Sequence, residues 1–333
     1  MKKVLIVTGP GGDAQGWGDM KVTQNMCETL NAGDLAAEIA YVVTKDDFMK
    51  AISTRTYDIV WSALYYISQR EDIIGLGEDN EWVADMLDER DIPYIGPNAQ
   101  TMKELIQKYE THRIMHENGV LVPAFTLVAP GDALPDVPYP AFVKPNCESR
   151  SIGISDDSVV HNREELEQRV RYVHEKLEQA ALIEEYLPGE EYTVLMLGNG
   201  RLQEILPGLV TVDNSHFGRH QILRSDLRGV GLTKISIPTE RVEEAKALTK
   251  RATDVLKCWD HVRVDMRVDA RGSMRVMEIN GIPGLKPVKS WSPQIYSLYH
   301  PSPGGPMEEY RNMLDLIVHS ALERHGIHAS NRS

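Results

Sequence analysis

The sequence predicts an α/β protein that begins with a parallel sheet and continues with antiparallel strands. Residues 4–7 form a short β-branched run, followed by a Gly-rich turn and a helical segment, which is typical of the first unit of a parallel sheet. Residues 262–268 instead alternate between apolar and polar side chains, as strands with two different faces do. With 333 residues the chain is long enough for two or three domains, and we expect this parallel unit to be the first of them.

The composition is that of an acidic globular protein. Its 333 residues include 36 Lys and Arg against 49 Asp and Glu, for a formal net charge of -13. Because this excess of acid opposes binding to a phosphate backbone, we expect no nucleic-acid partner. The three cysteines are widely spaced, which favours a reducing compartment, and no apolar stretch has the length of a membrane span. We expect a cytoplasmic protein with no membrane partner.

Strands and helices alternate from the N-terminus to Gly96-Pro97-Asn98, which marks a boundary. This alternation predicts a small doubly wound domain. One helix is then predicted over residues 101–118, because its apolar residues recur at helical spacing and Gly119 would end it. A second domain is expected to begin with this helix.

A hairpin near the C-terminus is predicted to carry acids on one face. Its strands cover residues 262–268 and 274–280 and are joined by an Asp-Ala-Arg-Gly turn. The side chains expected on that face are Arg263, Asp265, Arg267, Val276, Glu278 and Asn280. Asp265, Glu278 and Asn280 would offer oxygen ligands to a hard cation such as Mg2+. The ordinary alternative is a solvated face with a chance ion pair.

Two further segments could bind anions. Lys144 ends an apolar strand and precedes a loop of small residues at 146–153, so we expect it to meet phosphate, although a lysine at a strand end more often lies along the surface. Residues 280–284 read Asn-Gly-Ile-Pro-Gly, a sharp turn whose amides can face an anion.

Acids also flank a strand break at residues 183–192. They could accept hydrogen bonds from ribose hydroxyls or from an adenine amino group, or they could form a charged surface loop. The sequence lacks the histidine spacing of zinc hydrolases and the Gly-x-Ser-x-Gly turn of serine hydrolases. Its first glycine turn also departs from the Gly-x-Gly-x-x-Gly pattern of dehydrogenases.

In order along the chain, residues 141–155, 183–194 and 262–284 resemble the three signature blocks of the ATP-grasp superfamily, specifically its D-alanine–D-alanine ligase-like group. Residues 75–79 and 93–97 resemble a further block of that group. The resemblance implies a three-domain ATP-grasp fold. Residues 1–98 would form a Rossmann-like pre-ATP-grasp domain, residues 99–185 the central lobe, and residues 186–333 the C-terminal lobe with the metal site and the lid. It also implies that the nucleotide lies between two α+β lobes.

The same resemblance implies roles for individual residues. The nucleotide would be held by Lys108, Lys144, Glu184, Glu185, Leu187 and Glu191. The metal would be held by Asp265, Glu278 and Asn280, and the reacting groups would be stabilised by Arg263, Lys144 and the amide of Gly284. The implied cofactors are ATP and Mg2+, with two ions expected and Mn2+ as an alternative. A lid is expected over residues 213–231, and a homodimer is expected because relatives of this group suggest one.

The implied reaction is ADP-forming ligation of a carboxylate and an amine through an acyl phosphate. The substrates would be small and amino-acid-like, and the residues expected to meet them are Asp19, Glu78, Arg150, Ser151, Lys289 and Ser290. Asp19 is shorter than the family's glutamate, Arg150 replaces a serine, and the indole of Trp17 could enclose a bulkier first substrate.

These departures favour an amino-acid or peptide ligase of secondary metabolism. The alternatives are a D-alanine–D-alanine ligase of cell-wall synthesis and an amino-acid ligase acting on a mycosporine-like scaffold. A non-catalytic ATP-binding module is the alternative from another class.

Overall fold

The structure is a computed structural model, and it describes residues 1–71, 80–147, 151–224, 227 and 232–327. Its strands are β1 (Lys2–Thr8), β2 (Leu35–Tyr41), β3 (Ile59–Ser62), β4 (Tyr66–Ile67), β5 (Glu81–Trp82), β6 (Tyr94–Ile95), β7 (Phe125–Val128), β8 (Ala141–Pro145), β9 (Val159–Val160), β10 (Ala181–Glu185), β11 (Glu191–Leu197), β12 (Glu204–Val212), β13 (Thr233–Ser236), β14 (His261–Val268) and β15 (Met274–Asn280).

Its helices are α1 (Gly12–Gln15), α2 (Met20–Asn31), α3 (Lys45–Ser53), α4 (Val83–Asp88), α5 (Ala99–Ile106), α6 (Lys108–Glu117), α7 (Arg163–Lys176), α8 (Val242–Val255), α9 (Trp291–Tyr299) and α10 (Pro306–Arg324). Short 3-10 turns lie at Asp156–Ser158, Gly200–Leu202 and Asn214–His216. No helix among the described residues combines the length and the apolar character needed to cross a bilayer.

The N-terminal sheet is parallel, with strand order β2-β1-β3-β6. Its central strand β1 is buried from Val4 onward, which explains its unbroken apolar sequence. Asp19 caps α2 by accepting a hydrogen bond from the amide of Val22 at 3.0 Å. Met26 and Leu30 on that helix are fully buried. The predicted parallel N-terminal unit is therefore present.

The other two large sheets are antiparallel. One has strand order β7-β10-β8-β9 and packs against α7 through a separate apolar cluster that includes Val143 and Leu166. The other has strand order β13-β12-β11-β14-β15. The α/β prediction with two α+β lobes agrees with this architecture. The predicted domain limits at residues 98 and 185 stay a prediction.

The hairpin of β14 and β15 differs from its prediction in two respects. Every residue of β14 is buried, so the solvated outer face considered as the alternative does not exist. The register also shifts beside Asp265, so that Glu278 pairs with Asp265 whereas Val276 pairs with Met266. This bulge turns Val276 into the core, where its side chain is 0% exposed, and the prediction that it shares the acidic face was wrong.

The predicted single helix over residues 101–118 was also wrong, because the chain breaks at Gln107 into α5 and α6. The backbone carbonyl and the side-chain oxygen of Asn146 both accept hydrogen bonds from the first turn of α6. The backbone amide of Lys108 donates to the Asn146 carbonyl at 3.1 Å, and the amide of Tyr109 donates to its side-chain oxygen at 2.9 Å. This long-range anchor places Lys108 at the start of a new helix.

One apolar cluster joins the N-terminal sheet to the C-terminal part of the chain. It contains Ile6 of β1, Met26 of α2, Leu195 of β11 and Ile317 of α10. At its edge the buried carboxylate of Asp260 accepts hydrogen bonds from the Gly96 amide at 2.7 Å, the Asn199 side chain at 2.6 Å and the Arg324 guanidinium at 2.7 Å. The two ends of the chain therefore share a single core.

Candidate active site

Two adjoining cavities open where the sheets meet. The smaller, of about 110 Å³, is lined by Lys108, Lys144, Glu184, Glu185, Leu187, Glu191, Asp265 and Glu278, among others. The larger, of about 940 Å³, is lined by Asp19, Lys108, Arg263, Glu278, Asn280, Gly284, Lys289 and Ser290, among others. Lys108, Ile152 and Glu278 border both. Together with Ser151, fifteen of the residues predicted from sequence are thus brought to one cleft.

Asp265 is the centre of the acidic face. Its two oxygens receive Arg263 in a fork, with Nε at 3.0 Å from Oδ1 and Nη2 at 2.8 Å from Oδ2. Thr193 on β11 donates to Oδ1 at 2.8 Å, and the side-chain amide of Asn280 donates to Oδ2 at 3.2 Å. Because Asp265 is only 4% exposed, these partners are required to offset the cost of burying its charge.

A cation from α6 meets this acidic face directly. Lys108 Nζ lies 3.1 Å from Glu278 Oε1, and Glu278 is the cross-strand partner of Asp265. The basic and acidic groups predicted from separate sequence blocks therefore face each other across the cleft. This contact lies at the border of the two cavities.

Lys144 is held from behind by a buried acid. Its Nζ lies 2.7 Å from Glu184 Oε1 and donates to the carbonyl of Met277 at 3.5 Å. His112 Nε2 lies 2.8 Å from the same Glu184 oxygen. Burial alone would raise the pKa of Glu184, but the Lys144 ammonium and the His112 imidazole outweigh it and lower that pKa to about 2. Glu184 is therefore ionised at neutral pH.

The turn after β15 is fixed by the N-terminal domain. Tyr65 Oη accepts hydrogen bonds from the amides of Gly281 at 3.1 Å and Ile282 at 3.2 Å, and burial raises the pKa of this tyrosine. Gly284 follows, and a Cβ on it would lie 2.9 Å from Ser290 Oγ. Only glycine allows that approach without displacing the serine.

A segment of the predicted lid covers the smaller cavity. Ile222 and Leu223 are buried and line it. The amide of Arg219 donates to Asp156 Oδ2 at 2.9 Å, and a Cβ on Gly218 would collide with that carboxylate. On the other side, the Arg267 guanidinium donates to the Gln221 carbonyl. Residues 225, 226 and 228–231 of the predicted lid lie outside the described residues.

The predicted substrate residues are placed less uniformly. Asp19 borders the larger cavity, although its Oδ1 also caps α2. Lys289 borders that cavity and is exposed, whereas Ser290 Oγ accepts a hydrogen bond from the Lys286 amide at 2.9 Å. Ser151 borders the smaller cavity, beside Lys144. Glu78 and Arg150 lie outside the described residues.

Trp17 lines the larger cavity, and the expectation that its indole encloses a substrate stays a prediction. The side chain is buried, with 2% of its surface exposed, and Nε1 donates to Thr23 Oγ1 at 3.0 Å. Its ring meets that of Trp61 edge to face, with centroids 5.6 Å apart. Trp17 is therefore part of the N-terminal core.

The predicted metal ligands fit a hard cation by their chemistry. Asp265, Glu278 and Asn280 supply two carboxylates and an amide from neighbouring strands, which is the oxygen donor set that Mg2+ prefers. Within the described part of the chain, no group of three His, Cys, Asp or Glu side chains is arranged to bind a metal. The asparagine is consequently needed to complete this set.

Sequence reasoning missed four residues of the site. Thr193 holds Asp265, Tyr65 holds the turn, His112 contacts Glu184, and the indole of Trp291 lies under the Arg263 guanidinium at 5.1 Å. Thr193 is a polar residue in an apolar strand and His112 lies one turn after Lys108, which are weak signals. Tyr65 and Trp291 have no recognisable signal in the sequence, because their partners are distant along the chain.

Comparisons with known proteins identify a family and several relatives of this chain. Residues 132–297 match the family described as D-ala D-ala ligase C-terminus. A D-alanine–D-alanine ligase of Thermoanaerobacter sp. (strain X514) is 28% identical over 260 residues, which cover 75% of this chain and 68% of the relative. An uncharacterised protein of Sinorhizobium fredii (strain NBRC 101917 / NGR234) is 31% identical over 209 residues, or 60% of each chain.

The solved structures agree with the fold. The crystal structure of the Bacillus anthracis D-alanine–D-alanine ligase complexed with ATP has a TM-score of 0.72 and 21% sequence identity, covering 98% of this chain and 99% of that one. The expected ATP-grasp fold is thereby confirmed. The family match and the curated relatives show that the chain belongs to the D-alanine–D-alanine ligase-like group of the ATP-grasp superfamily.

Proposed function

We propose that the protein is an ATP-dependent, ADP-forming ligase that joins two amino acids of the D-alanine type through an acyl phosphate. The observation that carries this proposal is the contact between Lys108 and Glu278, 3.1 Å long, at the border of a smaller cavity and a larger one. A phosphoryl group at that border would have cations on one side and metal-binding acids on the other. Phosphoryl transfer requires this arrangement of charge.

The names of the relatives bear on the choice of substrate. Several curated relatives are D-alanine–D-alanine ligases, whereas none of the relatives compared supports the secondary-metabolism role or the mycosporine-like scaffold. D-alanine–D-alanine ligation is therefore the specific reaction that we propose.

In the first step, a carboxylate oxygen of the first amino acid attacks the γ-phosphorus of ATP, and the bond from phosphorus to the ADP oxygen breaks. Lys108 and Lys144 are placed to neutralise phosphate oxygens, and Glu184 fixes the position of Lys144. Magnesium, when bound to Asp265, Glu278 and Asn280, would supply further positive charge to the phosphates. Ile222 and Leu223 exclude water from the nucleotide side.

In the second step, the unprotonated amine of the second amino acid attacks the acyl carbon, and phosphate leaves as the carbon–oxygen bond breaks. Arg263 lines the larger cavity and is held rigidly by Asp265 and by the ring of Trp291. We assign Arg263 and the Gly284 amide to the oxyanion of the tetrahedral intermediate. Asp19 would hold the first ammonium, and Lys289 and Ser290 would meet the second carboxylate.

The test is ADP formation with pairs drawn from a panel of D- and L-amino acids, with the product identified by mass spectrometry. We expect D-alanine alone to give the highest turnover and a dipeptide product. Higher turnover with a different acceptor would overturn the D-alanine assignment but keep the ligase. Binding of MgATP with no ADP formation under any pairing would favour the non-catalytic module. The homodimer, the cytoplasmic location and the absence of a nucleic-acid partner stay predictions.

A further inference from the structure

His112 is a buried polar residue that the proposed reaction does not use. It lies on α6, one helical turn after Lys108, and its side chain is 0% exposed. It lines neither the smaller nor the larger cavity, so it has no direct access to nucleotide or amino acid. Its Nε2 nevertheless lies 2.8 Å from Glu184 Oε1, the oxygen that Lys144 approaches to 2.7 Å.

We propose that His112 is a positioning residue for Lys144 and acts through Glu184. The inference rests on the proposed function, because it takes Lys144 to be a phosphate ligand. A single carboxylate oxygen lies between an ammonium that faces the nucleotide cavity and an imidazole that does not. A displacement of this Glu184 oxygen would therefore displace the Lys144 ammonium as well.

The charge state of the cluster explains why an imidazole is used here. Burial lowers the pKa of His112; the Glu184 carboxylate opposes this effect, whereas the ammonium groups of Lys144 and Lys108 add to it, and the net direction is downward. The imidazole is therefore neutral at neutral pH, and in the tautomer that carries its proton on Nε2 it would donate to the carboxylate 2.8 Å away. A neutral donor holds Glu184 without adding a third buried cation beside two lysines. Lys or Arg at this position would compete with Lys144 for the same charge.

The ring is also fixed in place. Phe125 meets it edge to face, with centroids 5.3 Å apart and an interplanar angle of 86°. Phe125 belongs to β7, which pairs with β10 beside Glu184. The imidazole thus packs against β7, the strand paired with the one that carries Glu184. Packing alone would be satisfied by an apolar side chain of similar size, whereas positioning requires the N–H group.

Binding of a non-hydrolysable ATP analogue with Mg2+, followed by calorimetry, separates these two roles without requiring turnover. We expect His112→Leu to weaken analogue binding about tenfold, the order expected when a charged group loses a buried hydrogen-bond donor. His112→Gln, which keeps a donor, should remain within about threefold of the parent. In turnover assays the KM for ATP should rise in His112→Leu, while the KM for amino acid stays unchanged.

The matched control is His116→Leu, one turn further along α6. His116 is exposed and also contacts the Phe125 ring, with centroids 6.1 Å apart, but it is remote from Glu184, so analogue binding should be unchanged. If His112→Leu does not fold, His112→Met compared with His112→Gln gives the same contrast. Equal weakening by variants with and without a donor would overturn the proposal.

A double-mutant cycle tests the route of the effect. If His112 acts through Glu184, then His112→Leu should weaken binding no further in a Glu184→Gln background. A full tenfold loss in that background would overturn the proposal. Failure of the proposed function would look different, since the analogue would still bind and respond to His112 while no amino-acid pair formed ADP.

Discussion

Arg324, at the end of α10, grips the buried carboxylate of Asp260 with two nitrogens, Nε at 3.1 Å from Oδ1 and Nη2 at 2.7 Å from Oδ2. The same carboxylate holds the amide of Gly96. This one acid therefore connects the last helix, the end of the N-terminal sheet and the segment that leads into β14.

Asp260→Ala should lower the free energy of unfolding by about 3–5 kcal/mol, because it leaves a partly buried guanidinium without its acid. Urea denaturation measures the change. Glu323→Gln is the control, since its pair with Arg201 is largely exposed and should cost at most about 1 kcal/mol. Similar losses in the two variants would contradict the role given to Asp260.

Glu278→Gln should reduce ADP formation at least about a hundredfold with the fold intact, because the amide can neither pair with Lys108 nor serve as an anionic metal ligand. Steady-state assays at saturating ATP and circular dichroism check the two parts. Glu89→Gln, on an exposed acid paired with Arg90, should match the parent. Near-parental activity in Glu278→Gln would count heavily against the site.

Asp156→Ala should uncouple ATP consumption from ligation, because Asp156 holds the lid at the Arg219 amide. A lid that closes poorly admits water to the acyl phosphate. The measurement is the ratio of phosphate released to dipeptide formed, which we expect to rise severalfold. Gly218→Ala should raise the ratio as well. The control is Asp136→Ala, which changes an exposed residue of the same lobe and should leave the ratio at one. A ratio of one in Asp156→Ala would exclude this contact as a latch.

Stability should depend on pH through Glu184. Its pKa is lowered to about 2 in the folded protein, against about 4.3 in an unfolded chain. The ionised group therefore stabilises the fold above the unfolded value, and this contribution is lost as the pH falls from about 4.3 towards 2. Urea unfolding of the parent should show a steeper loss across this window than that of Glu184→Gln. Parallel curves would contradict the assignment.

The sequence was informative wherever a pattern is local. Alternation along residues 262–268 placed Arg263 and Asp265 on one face, and the structure has them 2.8 Å apart. The bulge that turns Val276 inward could not be predicted, since it depends on how two strands pair. The start of α6 at Lys108 is likewise set by Asn146, from a different element. The packing of Trp17 against Thr23 and Trp61 could not be predicted either, since an indole suits a core and a pocket equally well.

Tyr65 has a consequence for how the enzyme can open. Its hydroxyl accepts hydrogen bonds from the backbone amides of residues 281 and 282. The surrounding apolar cluster is continuous from the first strand to the last helix. The sheet of β7 to β10 has its own cluster instead. We therefore expect any opening of the nucleotide cavity to come from movement of that sheet relative to the shared core, while Tyr65 keeps the turn at residues 281–282 attached to the N-terminal domain.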